Sequence, residues 1–267
     1  MNKANTVPVI KVVDKYEWNM GDLLGAGSFG KVYKGRHKET NQEVAIKAIP
    51  AELLEDKYTN NLLHNEVQVM KSLKSVHNAR LLDAFSTKHF LYLIVEFCNG
   101  GDLNDYIYKK KKDARIEESE AIDILRQIVD GFKELTSKLI CHRDLKPQNI
   151  LIHDGVFKIT DFGFAKRVKD LATVLVSVLG SPLYMAPQIL QKTPYTPKCD
   201  IWSLGLIFYE MLFKTTPWPA NNAYLLLQNI LTQKLAFPSS PKVLFSCLFT
   251  LTLSRFLQTA MLSLRTA

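Results

Sequence analysis

Between Cys141 and Gly163 the chain reads CHRDLKPQNILIHDGVFKITDFG, which sets Asp144, Lys146, Asn149 and Asp161 around two short apolar runs. Residues 150–152 and 156–159 are β-rich, and His153-Asp154-Gly155 between them reads as a hairpin turn. A hairpin brings the residues that flank its strands together, so Asn149 and Asp161 are expected to meet at its open end. Oxygens held in that way suit Mg²⁺, which takes one or two protein ligands and leaves its other positions to water and substrate phosphates. Asp144, a few residues upstream, is placed where a base could orient an incoming hydroxyl. Phosphoryl transfer is the chemistry these residue types support.

Such a site needs a phosphate cradle and a cation, and both have candidates upstream. Leu24-Gly25-Ala26-Gly27-Ser28-Phe29-Gly30-Lys31-Val32 contains GxGxxG, but the chain continues in strand-like alternation rather than opening a helix. Lys31 is followed by Val32 rather than Ser or Thr, so this is not a Walker loop either. The glycines therefore sit in a hairpin whose backbone N–H groups can close over phosphates, although an ordinary glycine turn fits the same residues. Residues 43–49, EVAIKAI, form a strand on which alternation puts Lys47 with Ala45 and Ile49 on one face. A lysine on a half-buried face needs a partner. The helix expected from about Glu52 to Leu73 offers Glu66, whose alternative is a solvated surface position.

Two more strands, 81–85 and 90–97, bring the expected total to five with one helix before the Gly100-Gly101 linker. After it the chain turns helical. Ile122, Leu125, Ile128, Val129, Phe132 and Leu135 share a helix face, and residues 199–213 form a strongly apolar helix with Asp200 at its start as cap and anchor. The long segment between Gly163 and Pro187 reads as a functional loop.

The 267 residues, 47% hydrophobic and 22% charged, are enough for two modest lobes of a globular protein. A net charge of +8 fits a solvated lysine-rich surface better than a nucleic-acid partner, because the lysines at 109–112 have no interleaved aromatics. Cys98, Cys141, Cys199 and Cys247 show no CxxC pairing, and the N-terminus lacks an apolar run, so a cytoplasmic protein is expected.

GAGSFGKV, VAIK, the helix glutamate, HRDLKPQN, DFG, GSPLYMAP and DIWSLG follow one another over roughly residues 18–238, and in this order the chain resembles the eukaryotic protein kinases. The resemblance implies an α+β bilobal fold, with an antiparallel five-stranded N-lobe carrying one helix and a mainly helical C-lobe cut short at its end. It implies ATP and Mg²⁺. Gly25, Gly27 and Gly30, with Ala26, Ser28 and Phe29 between them and Lys31 after them, would cover the phosphates, and Leu24 and Val32 the adenine. Ala45 would line the pocket, Lys47 would contact the α/β-phosphates while pairing with Glu66, and Val95 would be a small gatekeeper. The backbone of Glu96 and Cys98 would bond the adenine edge, Asp102 the ribose, and Leu151 would form the floor. Asp144 and Lys146 would be catalytic, and Asn149 and Asp161 would hold the metal.

HRDLKPQN and Ser181 resemble enzymes acting on Ser or Thr hydroxyls of proteins, and DFGFAKR with GSPLYMAPQIL and TTPWPA resembles the autophagy-initiating Ser/Thr kinases. The same resemblance makes Ser177 a phosphorylation site whose phosphate would pair with Arg143 and Lys166. The expected boundaries are a loose lead-in at 1–15, the N-lobe at 16–97, a hinge at 98–101, the C-lobe at 102–242 and an atypical tail at 243–267. Two departures stand out. Gln188 replaces the glutamate of the APE motif, and the tail carries only Arg255 and Arg265 as charges. The tail's apolar stretch is shorter than the ~18 residues of a membrane span. A divergent core helix, an interfacial anchor and sequence from a misread gene end all fit it. These departures leave a second reading open, a nucleotide-binding module that acts by binding alone.

Overall fold

A six-stranded antiparallel sheet makes up most of the first lobe in the computed structural model, which describes residues 9–27, 29–110 and 116–237. Its strands are β1 (Ile10–Val13), β2 (Tyr16–Gly27), β3 (Gly30–His37), β4 (Glu43–Pro50), β5 (Leu81–Ser86) and β6 (Phe90–Glu96), in the order β1-β2-β3-β4-β6-β5. Alternation along β4 sorts its side chains. Val44, Ile46 and Ala48 join Tyr16, Trp18, Tyr33, Tyr92 and Ile94 in a buried cluster on one face. Ala45 and Lys47 are left for the other face, toward the second lobe.

The expected five strands become six because part of the supposed loose lead-in is ordered. Ile10↔Asn19 through Val13↔Tyr16 pair β1 to β2, and this leaves Lys11 over an aromatic platform. Its ammonium lies 4.3 Å from the Phe90 ring centroid and 5.6 Å from those of Trp18 and Tyr92. Cation–π attraction of about 0.5–2 kcal/mol helps hold the strand.

The helix of this lobe, α1 (Lys57–Ser72), starts later than expected because Asp56 caps it. Asp56 Oδ2 accepts the Thr59 N–H at 2.8 Å, and the residues before it make a short 3₁₀ turn. Leu63, Val69 and Met70 are buried on one side of α1.

Gly100 and Gly101 form the crossing between lobes. Gly100 donates to Ile152 O at 2.7 Å and Ile152 to Gly101 O at 2.9 Å. A Cβ on Gly100 would lie 2.8 Å from Ile152, and Gly101 has φ +78°, so the contact requires glycine at both places. The second lobe contains short α2 (Leu103–Asp105), α3 (Glu118–Ser137), β7 (Ile140–Cys141), β8 (Ile150–His153), β9 (Val156–Ile159), β10 (Lys166–Arg167), α4 (Pro187–Leu190), α5 (Cys199–Phe213) and α6 (Ala223–Thr232). Helix α5 runs through its core, where Trp202 stacks on Trp218 with ring centroids 5.8 Å apart.

Glu134 of α3 ties the lobes together behind the crossing. It accepts from the Lys74 and Ser75 N–H groups at 2.8 Å and from Asn78 Nδ2 at 2.9 Å. Among the described residues no helix is long and apolar enough to cross a membrane. Residues 243–267, read above as an atypical tail, lie outside the described residues.

Candidate active site

The β8–β9 hairpin pairs Ile150 with Ile159 and His153 with Val156, and its mouth is closed by a Thr160 N–H donating to Asn149 O at 3.0 Å. Asn149 and Asp161 both line a cavity of about 540 Å³ between the lobes. That volume is within the range of small-molecule and cofactor sites. Leu24, Gly25, Ala26, Gly27, Phe29, Val32, Ala45, Lys47, Glu66, Val95, Glu96, Cys98, Asp102 and Leu151 share the wall.

Lys47 is the fixed positive charge of this cavity. Its Nζ is 2.6 Å from Glu66 Oε1 and 4.0 Å from Asp161 Oδ1. Burial pulls the ammonium's pKa down, but Glu66 and Asp161 outweigh it and hold Lys47 above the usual lysine range. Glu66 is only 2% exposed, and its Oε2 is buried without a hydrogen-bond partner among the described residues. One carboxylate oxygen is therefore committed to Lys47.

Asp144 sits beside the cavity at the centre of a closed network. Its Oδ1 accepts the Ser181 N–H at 2.8 Å, and its Oδ2 is 2.9 Å from Lys146 Nζ and 3.1 Å from Asn149 Nδ2. Lys146 Nζ also donates to Ser181 Oγ at 2.8 Å. The loop carrying these groups hangs from α5. Asp200, buried and with its pKa raised by burial, accepts the N–H of His142 at 2.7 Å and of Arg143 at 2.8 Å. Asp200 does not cap its own helix, where Lys198 holds the cap position; both of its oxygens serve the loop. Arg143 and Asp161 have φ of 69° and 61°, a backbone cost that L-residues carry mainly at constrained sites.

Of the residues expected to bind the nucleotide, two lie off the cavity wall and one falls outside the described residues. Lys31 is exposed, because alternation along β3 turns Val32 inward and Lys31 outward, so a phosphate contact by its side chain is not supported. Gly30 is also absent from the wall. A Cβ there would meet Ala48 O at 2.2 Å, so packing against β4 demands this glycine. At Gly25 a Cβ would meet nothing within 4 Å, so no neighbour in the chain requires glycine there and the space is open to a ligand. Ser28 is the residue outside the described set.

Met70, Leu93, Phe97, Thr160 and Phe164 are among the wall residues that were not expected there. Met70 carried a usable signal, since it lies four residues after Glu66 on the same helix. Asp102 caps α2 by accepting the Asp105 N–H at 2.7 Å, and burial raises its pKa. Cys98 is a wall thiol whose pKa is pushed up to about 12 by burial and then by Glu96. Arg143 donates its Nε to Phe164 O at 2.7 Å, and Tyr195 donates its hydroxyl to the main-chain carbonyl of Ser177 at 2.7 Å.

The donor set fits a magnesium nucleotide. A carboxylate and an amide oxygen on one wall, a paired lysine beside them and an apolar far end supply cation ligands, phosphate charge and a base pocket respectively. Comparison with known proteins agrees. The model of the protein kinase domain matches residues 18–257, which is most of the chain.

This chain belongs to the protein kinase family.

As a protein kinase domain it is 40% identical over 226 residues to the serine/threonine-protein kinase atg1 of Dictyostelium discoideum, covering 81% of this chain and 33% of that protein. Over 223 residues it is 37% identical to the serine/threonine-protein kinase ULK1 of Homo sapiens, covering 79% and 21% respectively. It is 36% identical over 230 residues to the serine/threonine-protein kinase TIO of Arabidopsis thaliana, covering 86% and 17%. The chain thus spans a third or less of the length of these relatives. The kinase match runs on into residues 238–257, beyond the described residues. Gln188, the departure from the APE motif, lies on α4, and its carbonyl accepts the Thr193 N–H at 2.9 Å.

Proposed function

We propose that the chain is a serine/threonine protein kinase that transfers the γ-phosphoryl group of ATP, with Mg²⁺, to Ser or Thr hydroxyls of protein substrates. One observation carries the reading: Lys47, Glu66, Asn149 and Asp161 face a single cavity, and Asn149 also holds Asp144 beside it. Bound magnesium supplies charge neutralisation at the phosphates. The residues that would hold it are Asp161, through its carboxylate, and Asn149, through Oδ1, since Nδ2 is committed to Asp144. Lys47, kept charged by its neighbours, would meet phosphate oxygens beneath Gly25 and Gly27. Asp144 has both oxygens oriented by Ser181, Lys146 and Asn149, which suits it to accept or orient the proton of an acceptor hydroxyl. Lys146, held by Asp144 and Ser181, adds positive charge on the acceptor side.

The relatives support Ser/Thr specificity and a place near the autophagy-initiating kinases. Phosphorylation of Ser177 also belongs to it, with Arg143 exchanging its bond to Phe164 for the phosphate. The free thiols Cys98, Cys141 and Cys199 support a cytoplasmic location. The experiment is transfer of labelled phosphate from ATP to serine-, threonine- and tyrosine-containing peptides, with and without chelator. Magnesium-dependent labelling of the first two supports the proposal. ATP binding with no transfer would favour the binding module instead.

A further inference from the structure

Phe164 and Ala165, directly after Gly163, are held by three separate elements. Arg143 donates Nε to Phe164 O, as described. Phe29, at the tip of the β2–β3 turn, sets its ring against Phe164 with centroids 6.3 Å apart and planes at 66°. The third element is α1: Asn65 donates Nδ2 to Ala165 O at 2.6 Å, across 100 residues of sequence.

Asn65 does not line the cavity, but it directly precedes Glu66. Successive helix residues point about 100° apart, so one turn of α1 can aim Glu66 at Lys47 and Asn65 at the segment after Gly163. Asn60 and Ser72 spend their hydrogen bonds on Leu54 and Val69, within or beside the helix. Asn65 instead ties α1 to the second lobe, at the point where its rotation and depth decide whether Glu66 reaches Lys47.

We infer that Asn65 is a positioning residue for the Lys47–Glu66 pair, its amide clasping Ala165 O so that α1 presents Glu66 to the cavity. This rests on the kinase reading for its effect on turnover, though not for its effect on α1. The step is geometric. Losing the donor removes this directional tie, and the 2.6 Å contact between Lys47 and Glu66 is then positioned only by the pair itself and by the non-directional packing of Leu63, Val69 and Met70.

The test uses the full chain, Asn65→Ala, Glu66→Gln and the double variant. Amide hydrogen exchange in nucleotide-free protein reads α1 directly. Asn65→Ala is expected to speed exchange at residues 66–72 about tenfold while α3 and α5 keep the parent rates. In turnover, kcat is expected to fall about tenfold with the peptide KM unchanged. In the Glu66→Gln background the same substitution is expected to change kcat less than about twofold, because its effect runs through Glu66. Asn65→Asp is nearly isosteric and cannot donate, so its losses should match or exceed those of Ala, and it decides the matter if Asn65→Ala fails to fold. Unchanged α1 exchange in these variants, or effects that multiply in the double variant, would overturn the assignment. If the parent chain shows no turnover, the kinase reading has failed and exchange alone judges the clasp.

Discussion

Asn149 donates its Nδ2 to Asp144 twice, to the main-chain carbonyl at 2.8 Å and to Oδ2 at 3.1 Å. One amide therefore orients the acid and, by the same bonds, directs its own Oδ1 to the cavity. Asn149→Ala should lose both functions, with turnover reduced at least ~100-fold, as for removal of a general acid–base group. Asn149→Asp should be instructive in a different way. It keeps an oxygen ligand but loses the amide donor that holds Asp144, so turnover should still fall at least ~100-fold, and a kcat equal to the parent's would contradict this.

Lys47 and Glu66 form a pair with little exposure, at 15% and 3% of their side chains. Removing one member leaves a buried charge uncompensated, which typically costs about 3–5 kcal/mol. Lys47→Ala should lower both ATP affinity and denaturant stability. Lys47→Met combined with Glu66→Leu should restore most of the stability while leaving turnover absent. Denaturant titration of the single and double variants would reveal a failure of this account as a double variant no more stable than Lys47→Ala.

Glu134 predicts an acid-sensitive junction behind the crossing. Burial alone would raise its pKa, but the Ser75 and Lys74 N–H groups, Asn78 and Lys138 hold it below the usual glutamate value. A carboxylate depressed by folding contributes stability that is present above its unfolded pKa and lost as pH falls through the folded value. Stability should therefore decline below about pH 4.5, the ordinary glutamate range. Glu134→Gln should flatten that part of the curve while lowering stability at pH 7. Thermal melts across pH 3–7 would check it, and equal slopes in the two proteins would count against it.

Much of the site was legible because its residues are local. Asn149, the β8–β9 hairpin and Asp161 lie within one short stretch, so residue type and turn chemistry bring the ligands together without knowledge of the rest. Alternation placed Lys47, and helical spacing offered Glu66. What escaped the sequence depends on distant partners. Strand β1 pairs with its neighbour β2, but the aromatic platform under Lys11 is completed by Phe90 and Tyr92, which come from a strand far along the chain. Of the two roles read for Asp200, the loop anchor holds and the helix cap does not: both of its oxygens are taken by N–H groups 57 and 58 residues away, a partner no local pattern could name. The start of α1 was readable after all, since Asp56 and Thr59 are spaced as a cap, but the apolar periodicity drew the boundary too early. Lys31 was assigned with its loop, whereas strand alternation at that residue should have turned it outward.

The most direct measurement is the rate of phosphate transfer to a serine peptide, taken beside ATP affinity, for the parent chain and Asp144→Ala. Asp144 stands next to the cavity and not on its wall, so ATP affinity should be unchanged within about twofold while the rate falls at least ~100-fold. A parent chain that transfers phosphate in the presence of magnesium, and loses that ability in this way, fulfils the account. An Asp144→Ala variant that transfers as fast as the parent would contradict it.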